Sequence, residues 1–238
     1  MQKQQIGHVA LAILMVFVFA ATGERARAQV KPTAYPTMAP QYQYLIADKD
    51  SEIALARSAA PRSISDGAEV QVLGRDGYTV AVAGGNGFVC LVTRGFAAAT
   101  DDPVFWNPKA RGPMCVNAPA ASTYLPAVLL KVRLAMAGKS KAEITQAVKS
   151  AMESKQLPAL EPNAVSYMMS KQQYLNDDGK SWHPHIMLFV PGDQTKSWGA
   201  DRSDSPIMAA NDPEDRMTTF FFWVGTWSDG TPAPDFMH

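Results

Sequence analysis

The chain of 238 residues is poor in cysteine and in charge, and neither sign of charge is in excess. It contains two cysteines, 18% charged residues, and 22 Lys and Arg against 22 Asp and Glu. Two cysteines are too few for a disulfide-rich scaffold, and 47% hydrophobic residues are too many for a disordered chain. Because balanced charge removes the general attraction to phosphate backbones, we do not expect nucleic acid as a partner.

A long hydrophobic run is also lacking. The longest apolar segment, from Val9 to Ala21, is shorter than the about 20 residues that a membrane-spanning helix needs. It follows Lys3 and precedes the small-x-small sequence Ala26-Arg27-Ala28, an order typical of a cleavable secretory signal peptide. We therefore expect a signal peptide over residues 1–28, cleavage after Ala28, a secreted or periplasmic protein, and no membrane span after cleavage.

The two cysteines, Cys90 and Cys115, both follow the predicted cleavage site. An even number of cysteines in an oxidising compartment favours pairing, so we expect them to form a disulfide. The apolar surroundings of Cys90, Gly87-Phe88-Val89-Cys90-Leu91-Val92, are typical of a strand and do not favour the thiolate that a cysteine nucleophile needs.

A short motif surrounds these cysteines. Asn86-Gly87-Phe88-Val89-Cys90, followed by Pro113-Met114-Cys115, resembles the Asn-Gly-aromatic-x-Cys and Pro-Met-Cys motif of uncharacterised secreted bacterial proteins. The resemblance covers Val70 to Asn117 and implies that the two cysteines act together. Those proteins have no known activity, so the resemblance implies no chemistry.

Hydrophobic periodicity and turn residues predict a single α+β domain over residues 50–230. A Pro- and Tyr-rich segment, 29–49, precedes it and is interpreted as a linker or arm, and residues 231–238 are predicted to form a flexible tail. The predicted elements, in chain order, are a helix at 52–60, strands at 69–73, 78–83 and 88–93, helices at 123–137 and 141–155, a hairpin of 165–175 and 182–190, and a strand at 217–227.

These elements predict a largely antiparallel sheet of about six strands with two consecutive helices packed on it. The first three strands are expected to form a meander. The next two form a hairpin, because Asp178-Gly179 between apolar runs is a strong hairpin signal. The last strand, at 217–227, is apolar on both faces and is expected at the centre of the sheet. The helix predicted at 141–155 begins at a capping box formed by Ser140 and Glu143.

The candidate site lies on the predicted hairpin. His183 and His185 alternate along a strand, so their imidazoles share one face. If Asp178-Gly179 is a two-residue turn, Tyr174 lies opposite His183 and Gln172 lies opposite His185. The predicted polar cluster contains Ser170, Gln172, Tyr174, His183 and His185, and it continues into an apolar floor of Met168, Met187 and Phe189.

Three interpretations of this cluster remain open. The His183-x-His185 spacing suits zinc or copper, which need at least a third protein ligand. A histidine beside Tyr174 has the groups for general acid–base catalysis. The simplest interpretation is a polar strand end that binds its neighbours and solvent. We expect a non-catalytic binding or accessory module with an unidentified small molecule or protein as partner, and keep a metal-binding or histidine-assisted enzyme as the alternative. No catalytic residue or cofactor is established.

Overall fold

The computed structural model describes residues 34–179 and 182–234. The predicted signal peptide, its cleavage site and the last four residues of the predicted tail lie outside the described residues. Among the described residues, no helix has the length and apolar character needed to span a bilayer.

One sheet organises the part of the chain that the structure describes. Its eight strands are β1 (Glu69–Gly74), β2 (Gly77–Val82), β3 (Val89–Thr93), β4 (Gly112–Val116), β5 (Ala164–Met168), β6 (His185–Pro191), β7 (Met208–Asp212) and β8 (Met217–Trp223). Their order across the sheet is β2-β1-β3-β4-β5-β6-β8-β7. Neighbouring strands are antiparallel except for β1 and β3, which are parallel.

Helices lie on both faces of the sheet. The described ranges contain five α-helices: α1 (Lys49–Arg57), α2 (Arg62–Ser65), α3 (Ala118–Thr123), α4 (Leu125–Met136) and α5 (Lys141–Glu153). Helix α1 packs on β1, β3 and β4, whereas α4 packs on α5 and on β2. The side chain of Ser140 accepts from the backbone N–H of Glu143, and the carboxylate of Glu143 accepts from the N–H of Ser140, which confirms the predicted capping box at the start of α5.

Alternation along the strands builds a separate core on each face. Leu91 and Met114 belong to the core beneath α4 and α5, whereas Cys90 and Cys115 belong to the core beneath α1. Cys90 lies directly opposite Cys115, and the two form a disulfide with 4.0 Å between their Cα atoms. The predicted disulfide is confirmed.

The α+β class and the mostly antiparallel sheet are confirmed, but the predicted sheet of about six strands with two consecutive helices packed on it is wrong, because the described residues form eight strands and five α-helices. The meander is also wrong, because β3 pairs in parallel with β1 and not with β2. After β2 the chain crosses the start of β1 at Gly84, where a Cβ atom would lie 2.0 Å from the Glu69 nitrogen. Only glycine allows this close crossing, which places β3 on the far side of β1.

Two strands, β4 and β7, were not predicted. Because they were left out, other strands were given wrong positions in the predicted sheet. Strand β4 begins with Gly112-Pro113 and lies between the predicted strand at 88–93 and the predicted helix at 123–137, where no element had been predicted. Strand β7 lies between the predicted strands at 182–190 and 217–227, and it pairs with β8 along one edge of the sheet. The final strand, β8, is therefore next to the edge of the sheet. The prediction that it lies at the centre is wrong.

The predicted hairpin register is wrong. Met168, not Gln172, lies opposite His185, and β5 ends at Met168. After that residue the chain leaves β6 and pairs elsewhere: the N–H of Met169 donates to the Ala59 carbonyl, and Tyr174 exchanges backbone hydrogen bonds with Arg111. Pairing with these distant segments replaces the two-residue turn by a long connection.

Both flanking segments contact the domain where the structure describes them. In the predicted linker or arm, Tyr44 is fully buried, and its hydroxyl donates to the Trp106 carbonyl at 2.9 Å. In the predicted tail, the N–H of Ala233 donates to the Gly225 carbonyl at 2.9 Å. The arm is therefore part of the packed structure around one end of the sheet.

Candidate functional site

The cross-strand pairing on which the predicted polar cluster depended is absent, because Met168 lies opposite His185. The hydroxyls of Ser170 and Ser58 are hydrogen-bonded at 2.6 Å, Gln172 is exposed, and the Tyr174 hydroxyl donates to the carboxylate of Asp177. The altered register is the cause, since all three residues follow the end of β5 and leave the sheet.

His185 is buried within an aromatic environment. Its ring centroid lies 5.7, 5.9 and 5.3 Å from the rings of Trp182, Phe221 and Trp223. Its Nδ1 lies 2.8 Å from the carbonyl oxygen of His183. Burial lowers the pKa of His185, and the hydrogen bond with that carbonyl opposes the shift. A neutral imidazole in this setting contributes to packing.

His183 is only partly buried, and its ring contacts Trp223 at a centroid distance of 6.2 Å. In the described ranges, no group of three or more His, Cys, Asp or Glu side chains is arranged to hold a metal ion. His183 and His185 thus have no third ligand of these types within residues 34–179 and 182–234.

A concave site lies on the face of the sheet that carries the side chain of His185. It is a cleft of about 670 Å³ whose lining includes the three residues of the predicted apolar floor, Met168, Met187 and Phe189. The sequence therefore placed the floor correctly, because a strand's alternation is retained when its register shifts by an even number of residues. Met114, Met217 and Phe221 are among the further apolar residues of the lining.

Two segments form walls of the cleft. The first follows β3, where a Cβ atom on Gly95 would lie 2.1 Å from the Val104 carbonyl oxygen, so glycine allows the two ends of this loop to meet. Thr100 in this loop has its hydroxyl 2.8 Å from that of Thr145 on α5. Tyr124, at the start of α4, stacks on Phe189 with 4.0 Å between ring centroids. The cleft is therefore bounded by elements from both halves of the chain.

The second wall is an acidic turn, Asp212-Pro213-Glu214-Asp215, between β7 and β8. The Asp212 carboxylate accepts from the N–H groups of Glu214 at 2.9 Å and Asp215 at 3.0 Å, which fixes the turn. The carboxylate of Glu214 accepts from the N–H of Thr100 at 2.9 Å. Burial favours a higher pKa for Glu214, but this hydrogen bond and the charge of Lys131 help to hold its pKa below the usual value.

Asp215 is the most deeply buried carboxylate of this turn. Its Oδ2 accepts from the Lys131 ammonium at 2.7 Å, and the exposed fractions of the two side chains are 7% for Asp215 and 0% for Lys131. Burial raises the pKa of Asp215, and the charge of Lys131 opposes this rise. Burial, together with the charges of Asp215 and Asp212, also raises the pKa of Tyr124.

The other carboxylate oxygen of Asp215, Oδ1, has no hydrogen-bond partner among residues 34–179 and 182–234. Five buried side-chain polar atoms in the described residues lack a partner, and Asp215 is the only cleft-lining residue among their owners. Asp215 also borders a cavity of about 40 Å³ behind Tyr124. The cleft thus combines an apolar floor with an acidic turn on one side.

No family model, curated protein or solved structure matches the chain. The site has to be interpreted from its own residues.

Sequence reasoning missed the polar side of the cleft. Neither the acids at 212–215 nor Lys131 were among the predicted site residues. One signal was present in the sequence: Lys131 interrupts the apolar run Ala127-Val128-Leu129-Leu130-Lys131-Val132. A lysine on the apolar face of a helix requires a buried carboxylate partner.

Proposed function

We propose that this protein is a non-catalytic binding module that holds a small, largely apolar molecule in the cleft. The volume of about 670 Å³ carries the proposal, since small-molecule sites commonly measure about 300–1,000 Å³ and combine apolar walls with a few polar groups. The floor of methionine and phenylalanine side chains supplies the apolar surface, and the acidic turn supplies the polar groups.

The residue types of the floor suit binding. Methionine side chains are flexible and polarisable, so they adapt to ligands of different shapes. Met168 and Met187 lie on neighbouring strands, and Phe221 lies opposite Met187 on β8. A ligand on this floor would contact three adjacent strands, whose backbone is fixed by the sheet.

We also propose that the protein works in an oxidising compartment, as a secreted or periplasmic protein. The buried disulfide between Cys90 and Cys115 supports this location, because such bonds persist outside the reducing cytosol. The resemblance of the cysteine motif to secreted bacterial proteins is consistent with it.

A fluorescent probe tests the binding proposal. Nile red is uncharged and has no N–H or O–H donor, so its binding reports the apolar floor alone. We expect saturable binding at one site, with a blue shift and increased emission.

Two variants on the same strand locate the probe. Ala210 lines the cleft, whereas Ala209 is the adjacent residue of β7 and therefore points to the opposite face. Ala210→Trp should weaken Nile red binding at least tenfold, and Ala209→Trp should leave it unchanged. Absence of saturable binding by the unmodified protein, or an equal effect of the two variants, would contradict the proposal.

A further inference from the structure

We propose that residues 98–103 form a lid over one side of the cleft, and that Thr100 latches this lid to Glu214 and to Thr145. The lid controls the entry and the exit of the ligand. This inference rests on the proposed function, and it specifies how the same site opens and closes.

The first argument is the contrast between the lid and the chain on either side of it. Residues 94–96 and 105–107 are all buried, whereas none of residues 98–103 is buried. The two ends of the loop meet at Gly95, where a Cβ atom would lie 2.1 Å from the Val104 carbonyl oxygen. Because both ends are fixed against each other, the residues between them can move without unfolding the sheet.

The second argument is that a single residue holds the lid to the rest of the protein. Among the described residues, Thr100 is the only lid residue with a hydrogen bond to a segment outside 94–107. The other hydrogen bonds of the lid are local, such as the one from the N–H of Asp102 to the Ala99 carbonyl. Thr100 is therefore the latch of the lid.

The third argument is that this latch joins two walls of the cleft. The N–H of Thr100 donates to the Glu214 carboxylate at 2.9 Å, and the Thr100 hydroxyl lies 2.8 Å from the hydroxyl of Thr145. Residues 98–102 and 213–215 line the same cleft, and neither segment belongs to the sheet that forms its floor. A hydrogen bond between these two segments closes part of the mouth above the floor.

The partners of the latch are held more firmly than the lid. The Asp212 carboxylate accepts from the N–H groups of Glu214 and Asp215, which fixes the turn, and Thr145 lies within α5. The hydrogen bond from Thr100 helps to hold the pKa of Glu214 below its usual value, and a charged acceptor makes the stronger hydrogen bond. The lid is thus the part that moves when the latch opens.

A lid has a kinetic consequence that a simple wall does not have. A lost contact between a wall and its ligand acts mainly on the dissociation rate. A loosened lid raises the association rate as well, because entry and exit use the same opening. The association rate of Nile red, measured by stopped-flow fluorescence on the intact protein, therefore distinguishes the two roles.

The first experiment loosens the latch. Glu214→Ala removes the carboxylate to which Thr100 donates, and we expect the association rate constant of Nile red to rise at least threefold. Glu161→Ala is the matched control, because Glu161 is exposed, lies outside the cleft lining and loses the same side chain. It should leave the association rate unchanged. If Glu214→Ala does not fold, Thr100→Ala removes the hydroxyl of the latch and should change the rate in the same direction.

The second experiment locks the lid. The two cysteines of the chain are paired with each other and buried, so Thr100→Cys with Glu214→Cys introduces the only free thiols. Bridging these thiols with a short bis-methanethiosulfonate should slow Nile red uptake at least tenfold and should retain probe that was bound beforehand. Mild reduction should restore uptake. Thr100→Cys alone, treated with the same reagent, is the control and should not be slowed.

The outcomes separate the lid from the proposed function. Equal association rates for Glu214→Ala and Glu161→Ala would overturn the lid, as would unchanged uptake by the bridged protein. In either case saturable Nile red binding would leave the proposed function intact. Absence of saturable binding by the unmodified protein would overturn both.

Discussion

Two ion pairs are buried in the part of the chain that the structure describes, and they differ in how completely the protein satisfies them. Arg94 and Glu52 are paired at 2.9 Å with exposed fractions of 0% and 2%. Lys131 and Asp215 are paired at 2.7 Å with fractions of 0% and 7%. Within the described ranges, the first pair leaves no buried side-chain polar atom without a partner, whereas the second leaves Oδ1 of Asp215 without one.

The difference follows from the segments that surround each pair. The guanidinium of Arg94 also donates to the Tyr44 and Val92 carbonyls, and the Glu52 carboxylate accepts from the N–H of Leu73 at 3.2 Å. Backbone from the arm, β1 and β3 therefore encloses this pair. Asp215 instead lies in a turn beside the cleft. The Arg94–Glu52 pair is closed by these backbone partners, whereas the Lys131–Asp215 pair is open, because one acceptor oxygen has no partner in the described residues.

The largest effect is expected from breaking the closed pair. Glu52→Ala leaves the Arg94 guanidinium buried without its counter-charge, which should lower the free energy of unfolding by about 3–5 kcal/mol. Chemical denaturation measures this change. Asp50→Ala, an exposed residue on the same helix, is the control and should cost less than about 1 kcal/mol. A loss below about 1 kcal/mol for Glu52→Ala would remove the basis for the comparison.

The disulfide provides a second test, on the face of the sheet opposite the cleft. Cys90 and Cys115 are separated by 25 positions, and cross-linking a loop of this length stabilises a fold by about 3.5 kcal/mol on the chain-entropy model. Cys90→Ala with Cys115→Ala should reduce unfolding free energy by about that amount. Nile red binding should persist under folding conditions, because the disulfide and the cleft lie on opposite faces of the sheet. A large change in affinity of the folded variant would show that the faces are coupled.

The open pair should respond less strongly. Lys131→Met leaves Asp215 buried, but its already raised pKa allows the carboxyl to become protonated, so we expect a loss of about 2–3 kcal/mol. Adding Asp215→Leu should bring the stability back to within about 1 kcal/mol of the unmodified protein.

The matched control applies the same treatment to the closed pair. Arg94→Met with Glu52→Leu should remain clearly destabilised, because the Tyr44 and Val92 carbonyls and the N–H of Leu73 lose their partners. Equal recovery in both double variants would show that the two pairs do not differ in kind.

The smallest effect concerns pH. Burial lowers the pKa of His185 in the folded state, so at acid pH the unfolded chain binds a proton that the folded chain excludes. The stability that His185 contributes is therefore present above its unfolded pKa of about 6.5 and is lost as pH falls towards the folded pKa. His185→Phe should lose less stability than the unmodified protein between pH 7.5 and 5.5 in denaturant titrations. Parallel profiles would contradict the assignment.

Much of the local structure could be predicted from the sequence. The helices predicted at 123–137 and 141–155 contain α4 and α5, because each has a continuous apolar face and a clear start or end signal. Strand β4 was missed because its glycine and proline are typical of a loop. The position of β4 in the sheet depends on its pairing with β3 and β5. This pairing cannot be predicted from the local sequence of β4.

The candidate site was predicted in part for the same reason. Alternation along β6 places Met187 and Phe189 on one face whatever their partners are, and both line the cleft. The partners of His185 depended on a turn, and the turn was displaced by the backbone pairing of Tyr174 with Arg111. A contact between residues so distant in sequence cannot be inferred from a dipeptide such as Asp178-Gly179.

The sequence by itself determined the α+β class, the pairing of Cys90 with Cys115, and the apolar floor, because periodicity and cysteine number are properties of the chain alone. Only the tertiary structure decided that Lys131 meets Asp215, which is 84 positions away, and that one oxygen of Asp215 has no partner. Hydrogen-bond satisfaction depends on every atom within reach in three dimensions. The incomplete hydrogen bonding of Asp215 is therefore visible only in the folded protein.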